Sequence, residues 1–215
     1  MPKIVDKAAQ RQNIALAACR AVAHNGIDAT TMVDIAREAG VTTGMITHYF
    51  GSKNDIIHAA LRLVLERMEA RIQARIGGQS ETLYSILKEM LPIDQARQVE
   101  CAIWISFWGK VSSDPKLCEV NRELHEYAEN LYRHAVVYTW PEARQWSPVN
   151  FETVTSSILI FLNGLTASAI TSPQSWDTAA QLKALDSHLK LLEQWIESSV
   201  SSPAYSESSL HAKLR

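Results

Sequence analysis

A group of polar side chains within residues 31–53 has the chemistry needed to read a DNA duplex. Threonine offers a hydroxyl and a methyl group and histidine offers an imidazole, and such groups can contact base edges in the major groove. Lysine can pair with a backbone phosphate. The candidates are Thr31, Thr42, Thr43, Thr47, His48 and Lys53. Side chains of these types are compatible with contacts to nucleic acid, and equally with helix caps or solvated helix positions.

A second group is aromatic and lies near the middle of the chain. Trp104 and Trp108 are four residues apart with Phe107 between them, so one helix face presents two indole rings. Two indoles can close around a quaternary ammonium group, each contributing about 0.5–2 kcal/mol of cation–π attraction. The alternative is ordinary core packing, which is common for tryptophan at helical spacing.

The polar candidates require short helices at defined positions. An apolar stripe predicts a first helix over residues 7–25, ending at a glycine. Thr31 and Asp34 have the spacing of a capping box, and Gly40 can end the second helix, predicted over residues 32–39, in the left-handed conformation. Thr42 or Thr43 can cap a third short helix, with Ile46 facing inward. Two short helices joined at Gly40 have the spacing of a helix-turn-helix.

The remainder of the chain is predicted to be helical throughout. A fourth helix over 52–76 links two domains, and helices follow near 83–91, 96–112, 115–138, 150–170 and 177–199. The predicted fold is all-α, with a DNA-binding domain over 1–53, an effector-binding and dimerisation domain over 54–200, and a flexible tail over 201–215. Residues 158–170 are too often interrupted by polar residues to span a membrane.

Charge and composition narrow the classes of function. The net charge is −2, yet residues 1–53 carry six Lys or Arg against four Asp or Glu, so the positive end is the amino-terminal one. The cysteines at 19, 101 and 118 are predicted to be reduced core residues. No cysteine–histidine spacing typical of a metal site occurs, and no cofactor is indicated. Helix-spaced pairs such as His125 and Glu129 are weak evidence for an enzyme.

The string from Thr31 to Lys53, TMVDIAREAGVTTGMITHYFGSK, resembles the DNA-binding motif of TetR-family transcriptional regulators. The resemblance implies that one set of residues faces the operator: Thr31, Thr42, Thr43, Gly44, Thr47 and His48. It also implies that Tyr49 and Lys53 bind phosphate and that Ile46 and Phe50 are core residues. The threonines can instead be helix caps or solvated residues, Tyr49 a core aromatic, and His48 and Lys53 solvated groups.

A further likeness points to the choline-responsive BetI-like branch of this family. It rests on residues 1–3, on the run at 46–50, and on residues 104–108 followed by Asp114 and Pro115. The chain departs from this branch before the first helix, where Gln10-Arg11-Gln12 stands in place of paired arginines. The resemblance implies a small effector, choline-like or otherwise cationic or apolar, bound near Trp104, Phe107 and Trp108.

The last two predicted helices have apolar faces broader than one neighbour covers. By resemblance they form a dimer interface, and a two-fold dimer would read a palindromic operator with recognition helices about 34–36 Å apart. The expected partners are double-stranded operator DNA, a small effector and a second copy of the chain, with no membrane. The expected location is the cytoplasm. A helical scaffold or adaptor, and less plausibly a helical enzyme, remain the alternatives.

Overall fold

A computed structural model describes residues 6–76, 82–111 and 115–199, and these residues form nine α-helices and two 3-10 turns without a strand. The 3-10 turns are Lys88–Met90 and Pro141–Gln145. The helices are α1 (Lys7–Ala29), α2 (Met32–Ala39), α3 (Thr43–Tyr49), α4 (Lys53–Ile76), α5 (Leu83–Leu87), α6 (Gln95–Val111), α7 (Pro115–Thr139), α8 (Pro148–Thr171) and α9 (Thr178–Ser199). The all-α prediction is confirmed, and the predicted tail lies outside the described residues.

Local signals determine where the first helices begin and end. α1 is interrupted at Gly26, whose φ of 74° is accessible to glycine and strained for other residues, and the Thr30 N–H and hydroxyl both donate to the Gly26 carbonyl. The capping box of α2 is present, and Gly40 ends this helix with a φ of 67°. Thr42, rather than Thr43, caps α3 by accepting from the Met45 N–H.

The apolar side chains form two clusters that do not coincide with the predicted domain boundary. The first cluster unites α1–α3 and the first half of α4 with Ile103 and Phe107 of α6 and Leu124 of α7. The second joins the far end of α4 to α5, α7, α8 and α9. The helix-turn-helix therefore shares its core with α6, and α1 packs along that helix.

Among the described helices, α8 alone is long and apolar enough to cross a membrane, with a mean hydropathy of 1.5. It packs instead into the second cluster through Ile158, Leu162 and Leu165. Only 44% of its apolar window is buried within a single chain, and Ile160 is 69% exposed. On α9, Leu191 is 66% exposed. The α8–α9 surface therefore presents large apolar side chains to the outside of the single chain.

The three cysteines differ in their surroundings. Cys19 is buried in the first cluster, where burial raises the pKa of its thiol to about 12. Cys101 is half-buried and Cys118 is exposed. All three are free thiols, but the prediction that all are core residues is wrong for Cys118, because its side chain is on the outer side of α7 and donates to the Val111 carbonyl.

Candidate DNA-binding surface and effector cavity

The seven residues of α3 divide into an inner and an outer face. Ile46 is fully buried, and Phe50, which follows the helix, is 3% exposed, as predicted for the core side. The outer face is exposed and consists of Thr43, Gly44, Met45, Thr47 and His48, with Thr42 at its start. Residues three or four positions apart on a helix share a face, so Thr47 lies beside Thr43, and Gly44 lies beside both Thr47 and His48. Sequence reasoning missed Met45, whose side chain is 40% exposed there.

Thr31 is exposed at the start of α2, but its hydroxyl is already engaged. Its Oγ1 accepts from the Asp34 N–H at 3.2 Å and donates to Asp34 Oδ2 at 2.6 Å. The Thr31 N–H also donates to Asp34 Oδ2 at 3.0 Å, and the two hydrogen bonds that Thr31 donates to this carboxylate, followed by the charge of Arg37, lower the pKa of Asp34. The carboxylate therefore stays charged at the positive end of the α2 dipole.

The Lys53 side chain joins the start of α4 to the end of α1. Its Nζ donates to the carbonyls of Ile27 and Thr30 at 2.9 Å and to that of Asp28 at 3.4 Å. An ammonium group has three donors, so these carbonyls use all of them. A cation at the end of α1 also faces the negative end of that helix dipole. Lys53, which is predicted to bind phosphate, therefore connects the start of α4 to the end of α1 in this structure.

Two residues of α1 hold the helix-turn-helix in place, and sequence reasoning did not single them out. The Arg11 guanidinium lies 4.2 Å from the centre of the Phe50 ring and donates to the Tyr49 carbonyl at the end of α3. Asn13 Nδ2 donates to the Ala39 carbonyl at 3.0 Å. Both cap helix ends that lack intrahelical partners. Because both residues are far from α2 and α3 in the sequence, no short-range pattern indicates these contacts.

We expect Lys53→Met to lower the free energy of unfolding by about 1–3 kcal/mol, because three carbonyls at the end of α1 lose a charged donor. Chemical denaturation of the purified protein measures this change. Lys7→Met makes the same replacement at an exposed lysine of α1 and should leave stability unchanged. Equal stability of the two variants would show that the Lys53 contacts are not important for folding.

A cavity of about 90 Å³ lies between α4, α6, α7 and α8. Its walls are mainly apolar, and its polar lining groups come from all four helices. These groups are Arg71 of α4, Arg97 and Glu100 of α6, Asn121 and His125 of α7, and Asn163 and Thr166 of α8. Such a concave, mostly apolar space with few polar groups is typical of a small-molecule site.

Trp104 and Trp108, two of the three residues predicted to bind an effector, both line this cavity. Their ring centroids are 6.2 Å apart at an interplanar angle of 52°, so the two indoles form a corner. Phe107 is not among the lining residues. It is fully buried in the first cluster, because position 107 is rotated about 100° from position 108 around the helix. Direct contact between Phe107 and an effector is therefore not supported.

Glu100 is one of the lining residues that sequence reasoning missed. Its side chain is 6% exposed, one helical turn before Trp104, and lies 3.3 Å from Arg67 Nη1 and 3.0 Å from Arg71 Nη2. Residues 100, 104 and 108 are four positions apart and therefore share one helix face, and this spacing is the feature of the sequence that could have indicated Glu100. Burial also raises the pKa of the Cys101 thiol to about 12 and raises the pKa of the Tyr132 hydroxyl above its ordinary value, so both groups stay neutral near pH 7. Among the described residues, no cluster of three or more His, Cys, Asp or Glu side chains is arranged to bind a metal ion.

A three-helix helix-turn-helix unit joined to a helical domain with an internal cavity defines a ligand-responsive DNA-binding regulator. Two family models match the chain: bacterial regulatory proteins of the tetR family over residues 14–60, and the BetI-type transcriptional repressor C-terminal domain over residues 79–193. The chain belongs to the TetR family of bacterial transcriptional regulators, with a BetI-type repressor domain. The family resemblance inferred from residues 31–53 and 104–115 is confirmed.

Individual relatives agree with this assignment. The HTH-type transcriptional regulators BetI of Burkholderia thailandensis and Paraburkholderia phymatum are each 24% identical over 196 residues, covering 89% of this chain and 97% of theirs. A transcriptional regulator from Rhodococcus sp. Rha1 shares the fold with a TM-score of 0.72, at 24% identity, over 86% of this chain and 96% of its own. One from Saccharomonospora viridis, solved in complex with choline, has a TM-score of 0.68 at 19% identity, covering 90% and 98%. These relatives are regulators and not enzymes.

Proposed function

We propose that this repressor binds a palindromic operator as a dimer in the cytoplasm and is released by a small effector that carries an ammonium group. The observation that carries the DNA-binding part is the outer face of α3. This face holds exposed threonine, glycine and histidine residues, while Ile46 and Phe50 anchor the opposite face in the core. A helix held in this way can enter the major groove without unfolding its own domain.

The proposed roles follow from position on the helix-turn-helix. Thr43, Thr47 and His48 face base edges, and Gly44 lets the backbone approach the duplex. Thr31 and Thr42 lie at helix starts, where unpaired N–H groups favour phosphate. Tyr49 is half-buried, with its ring edge-on to His48 at a centroid distance of 5.2 Å, and its hydroxyl is proposed to bind phosphate. Lys53 contributes its backbone N–H and its charge, because its Nζ is already engaged.

The proposed dimer uses α8 and α9. Ile160 and Leu191 are exposed large apolar residues on these helices, and such groups on a soluble protein mark an interaction surface when they cluster. Gly164, also exposed on α8, has no atom within 4 Å of where a Cβ would lie, so another helix can approach closely. A two-fold dimer built on this surface would present two copies of α3 to one duplex.

The proposed effector carries an ammonium group that sits in the corner between Trp104 and Trp108. Support comes from the cation–π capacity of two indoles and from the buried carboxylate of Glu100 one turn away. The choline bound by the Saccharomonospora viridis relative is consistent with this chemistry. Phe107 would act indirectly, by packing edge-on against Trp104 at 6.1 Å.

Induction is proposed to act through α4 and α6, which line the cavity and also reach the helix-turn-helix. α4 contributes Met68 and Arg71 to the cavity, and its start is fastened to α1 through Lys53. α6 turns its tryptophans to the cavity and Phe107 to the core shared with α1. An effector that shifts either helix changes the spacing of the two α3 helices. The coupling must be reciprocal, so operator also weakens effector binding.

The assigned roles are tested by comparing variants on an operator and on random duplex. Thr47→Ala and His48→Ala should change operator preference, with each lost base contact worth about 1–3 kcal/mol. Tyr49→Phe should weaken binding to all sequences and flatten the dependence on salt, because it removes a phosphate contact. Electrophoretic mobility shift across a salt series measures both effects.

Arg122→Ala, on the exposed side of α7, is the matched control and should bind DNA as the parent protein does. A helical scaffold, the alternative function, predicts no salt-dependent DNA binding. Identical binding profiles for Thr47→Ala, His48→Ala and Tyr49→Phe would contradict the proposed roles.

A further inference from the structure

The inner end of the effector cavity carries charges of both signs. Glu100, 4% exposed, pairs with Arg67 and Arg71. Arg97 also lines the cavity, but it is committed to two other carboxylates: its Nη1 lies 2.9 Å from Glu89 Oε2 and its Nη2 lies 2.7 Å from Asp94 Oδ2. Arg71, in contrast, shares the carboxylate of Glu100 with Arg67.

The pair between Arg71 and Glu100 leaves polar atoms unsatisfied. Arg71 Nη2 is 3.0 Å from Glu100 Oε2, yet this contact lacks hydrogen-bond geometry, and Oε2 has no hydrogen-bond partner. The Nε of Arg71 is likewise buried without a partner. Buried polar atoms are almost always hydrogen-bonded, so unpaired ones at a cavity indicate groups available to a ligand. The unpaired atoms here are the Nε donor of the positively charged Arg71 and the Oε2 acceptor of the negatively charged Glu100.

These groups discriminate between classes of ligand. A simple cation placed beside Glu100 and Trp104 competes with Arg71 for the same carboxylate and adds a positive charge to a site already holding arginines. A simple anion beside Arg71 lies against the buried carboxylate of Glu100. In a space of low dielectric, an added cation increases the excess of arginine over carboxylate and an added anion is repelled by Glu100, whereas a ligand that carries both charges supplies a partner for each group.

We propose that the effector is a zwitterion, with a methylated ammonium group at one end and a carboxylate at the other. This inference rests on the proposed function and names the chemistry of its effector. The carboxylate takes Arg71 in a two-pronged pair, which guanidinium geometry favours. Glu100 keeps Arg67 and gains the ammonium group, whose methyl groups contact Trp104 and Trp108. Glu100 precedes Trp104 by one turn, about 6 Å along α6 at 1.5 Å per residue, and Arg71 Nη2 lies 3.0 Å from Glu100 Oε2, so a short spacer between the two charges fits.

Isothermal titration calorimetry on the full chain tests this inference with compounds matched in shape. Trimethylammonium carboxylates with one, two or three methylene groups between the charges are the zwitterions. Choline lacks the carboxylate, and 4,4-dimethylpentanoate replaces the trimethylammonium group with tert-butyl. We expect at least one zwitterion to bind about tenfold or more tightly than both comparison compounds.

Arg71→Met should abolish the preference for the zwitterion over choline, because it removes the partner of the carboxylate. Arg62→Met is the control, since Arg62 lies on the same helix but pairs with Glu123 on the outside of the protein. Equal or tighter binding of choline by the parent protein overturns the inference. So does equal binding of 4,4-dimethylpentanoate, an equal loss of affinity for all compounds in Arg71→Met, or no binding of any compound. If Arg71→Met does not fold, the order of affinities in the parent protein decides.

A separate measurement distinguishes a failure of the effector inference from a failure of the proposed function. Operator binding is measured without any compound and then with the tightest zwitterion. Salt-dependent binding to a palindrome with no preference for zwitterions contradicts the effector class alone. Absence of operator binding contradicts the repressor function, whatever the calorimetry shows.

Discussion

Gly44→Glu is expected to weaken operator binding by about a hundredfold or more without lowering the stability of the protein. A Cβ at this position would have only Thr42 Oγ1 within 4 Å, at 3.9 Å, so a side chain fits. Glutamate is also a better helix former than glycine by about 0.5 kcal/mol or more. The loss therefore arises where the new carboxylate meets the duplex. Fluorescence anisotropy with labelled operator and thermal unfolding measure the two quantities.

Gly109→Glu is the matched control for this prediction. Gly109 is exposed on α6, with no atom within 4 Å of a Cβ, and it is distant from α3 in the sequence and on another helix. The same change in charge and helix propensity there should leave operator affinity unchanged. If Gly44→Glu binds operator as tightly as Gly109→Glu does, α3 is not the recognition helix.

The double variant Ile160→Glu/Leu191→Glu is expected to convert the dimer to a monomer. In the isolated chain both side chains are exposed, at 69% and 66%, so two carboxylates there do little harm to the fold. In the proposed dimer they would be buried without partners, once in each copy, at a cost of several kcal/mol. The dissociation constant should rise by about a thousandfold or more, as measured by analytical ultracentrifugation.

Val33→Glu provides the comparison for the dimer prediction. Val33 is 56% exposed on α2, in the helix-turn-helix rather than on α8 or α9. This variant should remain dimeric at concentrations at which the double variant is monomeric. Sedimentation of the double variant as a dimer would show that the exposed α8–α9 surface is not the interface.

Much of the fold follows from local signals in the sequence. The starts of α2 and α3 are determined by Thr31 and Thr42, and the end of α2 by Gly40, each through contacts within three or four residues. The outer face of α3 follows from helical periodicity once Ile46 is recognised as core. Signals of this kind depend on near neighbours and can be read without tertiary structure.

Contacts between distant segments could not be predicted in the same way. Lys53 is 23–26 residues from the carbonyls that it binds, and Arg11 is 38 residues from its partner Tyr49. The position of Phe107 between two tryptophans predicts a place in the effector site, whereas the direction of its side chain is decided by packing against the shared core. The buried pairing of Glu100 with two arginines of α4 depends equally on how α4 and α6 meet.

Selection of bound duplexes from a random pool tests most directly whether the outer face of α3 reads DNA. The purified, effector-free protein is incubated with the pool at low salt, and the retained duplexes are sequenced after several rounds. We expect enrichment of one palindrome, with half-sites about one helical turn apart, and loss of that enrichment for Gly44→Glu. Retained duplexes that remain random in sequence would contradict it.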